Sequence, residues 1–190
     1  MLMRHFQRGV TMLEVLIAIF ILTLGLLGTA GIQSQMQMAE IQAYERAQAV
    51  VLLRDIVDRV NANRRNAASY VTGSALGSSV QDCTAAATTA ARDLCEWNNA
   101  LFGASETRGT QALGAMNNAR GCITNPVTTM PREVVVAVAW QGLQPTLAPA
   151  ATNCGSGVYG SDDRFRRALV ARVVIGCLQN DPTTGLCVTP

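Results

Sequence analysis

The pattern of apolar and polar positions divides the chain into a long helical stretch followed by a mixed region. From Thr11 to about Arg65 there is no proline, and the periodicity is helical throughout. The first half of that stretch is apolar on every side. Between Arg8 and Glu40 it carries one charge, Glu14, and the run 15–32, about 18 residues, approaches the length of a membrane-crossing helix. The second half is amphipathic. Leu52, Leu53, Ile56, Val57 and Val60 form one stripe, while Arg46, Arg54, Asp55, Asp58 and Arg59 occupy the other faces. About 55 residues at roughly 1.5 Å each make a rod of roughly 80 Å. The pattern predicts an apolar segment 10–32 for a membrane, an amphipathic segment 33–66 for packing, and a globular part 67–190. Asn61, Asn63 and Asn66 mark a fraying end.

Beyond the long helix the signals are shorter. Residues 67–82 are rich in Ser, Gly, Thr and Ala and read as a loop. A second helix is predicted from Cys83 to Ala104, capped by Asp82 or Thr84, with Leu94, Trp97, Leu101 and Phe102 on its apolar face. Residues 103–130 are turn-rich, with breaks at Asn125-Pro126 and Met130-Pro131. The clearest strand is 133–140, β-branched and bounded by Pro131 and Gly142; a second is 168–178, interrupted by Arg172. Turn residues fill 145–163 between them, including Gly155, Gly157 and Gly160. The prediction is an α+β fold: an antiparallel sheet, completed by one or two weakly signalled strands, with one face on the amphipathic half of the long helix. No internal repeat is present.

Composition narrows the chemistry. All 15 basic residues are arginine, and a leader carrying Arg4 and Arg8 would take two away, leaving 13 against 13 acids. Such a chain is near neutral and its charge gives no pointer to nucleic acid. Arg64-Arg65 and Arg164, Arg166 and Arg167 read as solvated faces. The six cysteines, Cys83, Cys95, Cys122, Cys154, Cys177 and Cys187, are even in number and confined to the globular part, which points to disulfides in an oxidising compartment. Fifteen connectivities are open; sequential pairing, with Cys122–Cys154 as the third bridge, is preferred because Cys83–Cys95 and Cys177–Cys187 close short loops. A zinc site is disfavoured, since no C-x-x-C occurs and the single histidine is His5. No cofactor is implied. Asp162, Asp163 and Asp181 are turn carboxylates, too few oxygens for a persuasive calcium site. With no histidine after His5 and the thiols oxidised, an enzyme would lack a histidine base and a thiolate nucleophile.

Glu14 is the most telling residue. A carboxylate near the start of a membrane-length helix is costly and therefore a functional candidate. An ordinary secretory signal would place its cleavage site at Gly28-Thr29-Ala30, but Glu14 interrupts the apolar core such a signal needs. An uncleaved signal-anchor is a further option. The sequence Arg8-Gly9-Val10-Thr11-Met12-Leu13-Glu14, behind a basic leader, resembles the class III signal of type IV pilins and pseudopilins. That resemblance implies a type IV pilin fold, removal of residues 1–9 by a prepilin peptidase, and N-methylation of Val10, which stands where the family more often has Phe. It also implies that Glu14 pairs with the N-terminal amine of a neighbouring subunit. Gly25, Gly28 and Gly31 recur every third residue. They would permit close helix packing or let the helix bend, as the proline of many pilins does.

Farther on, Asp93-Leu94-Cys95-Glu96-Trp97-Asn98, the strand 134–140, the Cys154-Gly155 turn and Arg166-Arg167 before a final strand resemble the PilV family of minor pilins, the type IV pilus modification proteins. This implies a low-abundance subunit, anchored in the bacterial inner membrane with its head in the periplasm, that primes assembly in a tip complex. Its partners would be other minor pilins, the major pilin, the inner-membrane assembly platform and membrane lipid; adhesion and twitching motility would follow. The alternatives are a minor pseudopilin of a type II secretion system, and a tip adhesin or DNA-uptake pilin.

Overall fold

The computed structural model describes residues 9–104, 107–108, 111–112, 116–127 and 132–177. Two compact units divide the chain at Ile41/Gln42. Helix α1, Met12–Ala62, supplies all the regular structure of the first unit and the first element of the second. The amphipathic part of α1 buries Glu45, Ala49, Leu53, Ile56 and Val60, a stripe at intervals of three and four residues.

A 3-10 helix, Arg64–Tyr70, follows α1 and is kinked at Asn66. Residues 67–82 were expected as a plain loop, but Ala67 and Tyr70 are fully buried and Leu76 bridges to Gly121 on the sheet. Helix α2 runs Thr89–Phe102, shorter than the predicted 83–104. Its cap is neither Asp82 nor Thr84. The Thr88 hydroxyl accepts the Ala91 N–H at 3.1 Å, while Asp82 is engaged with the backbone and hydroxyl of Thr84 in a preceding turn. Gly103, in the left-handed region at φ 78, closes α2 with its N–H on Ala100 O.

Five strands follow among the described residues. β1 (Thr107–Arg108) and β2 (Gln111–Ala112) pair with each other; β3 (Arg120–Val127), β4 (Arg132–Gln141) and β5 (Arg166–Ile175) form an antiparallel sheet in the order β3-β4-β5. The predicted break at Asn125-Pro126 lies inside β3 instead. Proline survives there because β3 is an outer strand of this sheet and its register with β4 shifts between Thr124 and Val127, where a missing N–H costs little. The Met130-Pro131 break lies outside the described residues.

One face of the sheet, with Val134, Val136, Val138, Trp140, Val173 and Ile175, joins Ala49, Leu53, Ile56 and Val60 of α1 and Trp97 and Leu101 of α2 in a single core. On the opposite face Ala137 and Ala139 are covered by Cys154 and Tyr159 from the connection between β4 and β5. Burial on both faces explains why β4 reads as an unbroken apolar run rather than an alternating one. Gly121 is required by packing. A Cβ there would run into the Trp97 ring and lie 2.5 Å from Leu101. The Trp97 indole N–H donates to Leu52 O at 2.9 Å, so α2 is fastened to α1 by a hydrogen bond as well as by apolar contact.

Candidate functional site

The sequence directs attention to the N-terminal segment. Gly9, Val10 and Thr11 precede α1 and are exposed, while the rest of the leader, residues 1–8, lies outside the described residues. Thr11 caps the helix. Its carbonyl accepts the N–H of Glu14 at 3.1 Å and of Val15 at 3.3 Å, and its hydroxyl lies 3.4 Å from the Glu14 N–H. Glu14 is exposed in the first turn, where a carboxylate is favoured by the partial positive charge of the helix N-terminus. The junction Gly9–Val10 is therefore open to an approaching protein, and Glu14 stands one helical turn beyond it.

The helix that follows is unbroken through Gly25, Gly28 and Gly31, and a Cβ at each would meet nothing within 4 Å. Leu13, Leu16, Phe20, Leu24 and Leu27 are all more than half exposed. A stretch of mean hydropathy 2.5 with none of its window buried is long and apolar enough to cross a membrane. Two hydroxyls missed in the sequence reading are satisfied within it: Thr23 donates to Phe20 O at 2.8 Å and Thr29 to Leu26 O at 2.9 Å. Such back-bonding removes the cost of a bare hydroxyl in hydrocarbon. The presence of threonine at positions inside an apolar run was the available signal.

Residues 4–30 match the prokaryotic N-terminal methylation motif. The match takes in Gly9, Val10 and Glu14 and most of the apolar helix, and it marks a type IV prepilin-like N-terminus that is consistent with membrane anchoring. Such a motif implies processing by a prepilin peptidase and assembly with other pilins. Searches of the curated proteins and of the solved structures gave no match. The long helix, small antiparallel sheet and disulfides make an α+β fold consistent with that of type IV pilins.

In the head, Cys83 is bonded to Cys95 and Cys122 to Cys154, spanning 12 and 32 residues. Cys177 is also disulfide-bonded, while Cys187 and Asp181 lie outside the described residues. The second bridge ties β3 to the long β4–β5 connection. That connection is organised by Arg166, which the sequence reading placed on a solvated face and which is in fact 4% exposed. Its guanidinium donates to the carbonyls of Thr152 (2.6 Å), Cys154 (3.2 Å) and Pro149 (3.2 Å), with Asp163 at 3.3 Å. Asp163 in turn accepts from the Ser156 hydroxyl and the Gly157 N–H, and these bonds hold its carboxyl below the usual range. Asp163 is thus committed to the loop's own structure. Among the described residues no group of three or more His, Cys, Asp and Glu side chains could hold a metal ion.

Arg59 forms the main polar joint of the head. It reaches Asp55 at 3.1 Å, Asp93 at 3.0 Å and Glu96 at 2.6 Å, linking α1 to α2. Burial alone would lower its pKa, but the three carboxylates outweigh that and raise it. Tyr70 donates to Asp93, and burial together with that bond pushes its hydroxyl up to about 12.

Proposed function

We propose that this chain is a minor pilin of the type IV pilus, resembling the PilV family, held in the bacterial inner membrane until it enters a tip complex that primes assembly. The observation that carries the proposal is the coincidence of the methylation motif over residues 4–30 with an exposed Gly9–Val10 junction and an apolar helix left unburied among the described residues.

In this reading a prepilin peptidase cuts after Gly9 and methylates the new amine of Val10. The peptidase acts on the chain, which is a substrate and not a catalyst. The apolar helix then passes from lipid into a bundle of like helices, where Gly25, Gly28 and Gly31 leave room for close approach. Glu14 pairs with the Val10 amine of a neighbour. Desolvation offsets much of that attraction, but a subunit out of register leaves a buried charge unpaired at a cost of about 3–5 kcal/mol. The pair therefore selects the correct stagger more than it adds net stability.

Sheared surface filaments test this directly. The chain is expected to copurify with them at low stoichiometry, and Glu14→Gln to remain in the membrane at normal levels while vanishing from the filaments. Absence from the filaments, combined with loss of exported enzymes when the chain is deleted, would assign it instead to a type II secretion system.

A further inference from the structure

One buried carboxylate of the head is employed by nothing above. Glu45 projects from α1 toward the end of the sheet and is 6% exposed. The carboxyl group lies by the Trp140 indole of β4, and its Oε2 is buried with no hydrogen-bond partner among the described residues. Trp140 and Arg167 are directly opposed in the register of β4 and β5, so both lie on the face turned toward α1. Arg167 is the charged group that bears on Glu45 from β5, and Arg46 beside it on α1 is exposed. Arg167 is not free to close on the carboxylate. Its guanidinium donates to Arg164 O at 3.2 Å, Arg166 O at 3.3 Å and Gln144 O at 2.6 Å, and lies over Gly142, where a Cβ would come within 2.9 Å of it. A cation held by three carbonyls attracts Glu45 from a distance without satisfying it.

We infer that Glu45 is a proton-dependent latch, neutral when residues 42–49 of α1 are seated on the Trp140 end of the sheet and weakening that seat when it ionises. A buried carboxylate with one bare oxygen is costly, whereas the acid form can stay buried with no charge to desolvate. Burial raises the Glu45 pKa, and the nearby Trp140 indole and Arg167 charge lower it by less. The sign follows. The folded chain binds this proton more tightly than the unfolded chain, so the contribution to stability is complete below the ordinary glutamate range. It is lost as pH rises through the folded value.

Full-length protein in detergent is the material for the test. The infrared carbonyl stretch of a protonated carboxyl should persist to a higher pH than for ordinary glutamates, and Glu45→Gln should remove it. The unfolding midpoint of the head should fall as pH rises above the ordinary glutamate range, and Glu45→Gln should flatten that fall. Arg167→Met is a second variant that leaves Glu45 in place. Without the Arg167 charge the protonated band should survive to higher pH still. An unchanged band in Glu45→Gln, or an unchanged position in Arg167→Met, would overturn the latch.

Discussion

Helix α1 carries leucine, isoleucine and valine on both sides of Ile41, and the two parts use them in opposite ways. Before it, Leu16, Phe20, Leu24 and Leu27 stand 56–71% exposed; after it, Ala49, Ile56 and Val60 have no exposed surface at all. Hydrophobicity alone does not distinguish the two. Periodicity does, because the second part alternates a packed stripe with charged faces while the first is apolar all round. A helix segment apolar on every face and left uncovered among the described residues is suited to surroundings other than its own core. The motif over residues 4–30 is consistent with a membrane as those surroundings and implies assembly with other pilins.

That contrast can be broken from either side. The largest effect belongs to the N-terminal side, where Gly9→Val should leave the leader attached and abolish incorporation without shifting the head's unfolding midpoint, read by intact mass and thermal denaturation. On the head side Ile56→Ala should cost about 2–5 kcal/mol in denaturant unfolding while membrane association is unchanged. Ile17→Ala, at a position 52% exposed, should leave that midpoint where it is. Removing the Cys122–Cys154 bridge with paired serines should cost about 2–4 kcal/mol, more than removing Cys83–Cys95, since it closes the longer loop. Gly121→Ala should cost about 1–3 kcal/mol, because Trp97 and Leu101 must move to admit the methyl group. Thr88→Ala, which removes only the α2 cap, should cost about 1 kcal/mol. Equal effects of Ile17→Ala and Ile56→Ala on the head would erase the distinction drawn between the two parts.

Much of this fold was legible in the sequence where one local signal decided the outcome. β-branched side chains crowd the preceding turn of a helix but pack well on a pleated sheet. The valine-rich stretch 134–138, with Pro131 ahead of it, therefore announced a strand, and the predicted 133–140 falls just short of β4, Arg132–Gln141, at each end. The long helix followed from spacing and the lack of proline. β3 was hidden because Pro126 argues locally against a strand, and its place on an outer strand with a register shift beside it makes it tolerable. The start of α2 was misplaced because Asp82, Thr84 and Thr88 can each cap a helix, and a turn at Asp82 claimed the first two.

The site residues divide in the same way. Gly9, Val10 and Glu14 stand out because their motif is contiguous. Arg166 did not, because the three carbonyls its guanidinium reaches lie 12–17 residues upstream and leave no mark in its own neighbourhood. Glu45 had a signal that went unread. It precedes Ala49 by four residues and Leu53 by eight, so the buried stripe passes through it.

The most direct test of the central claim is the intact mass of the protein purified, unreduced, from the membranes of the cell that makes it. The account predicts a chain beginning at N-methylated Val10 and lacking the hydrogens of its six thiols. A chain beginning at Met1 or at Gly31 would contradict it.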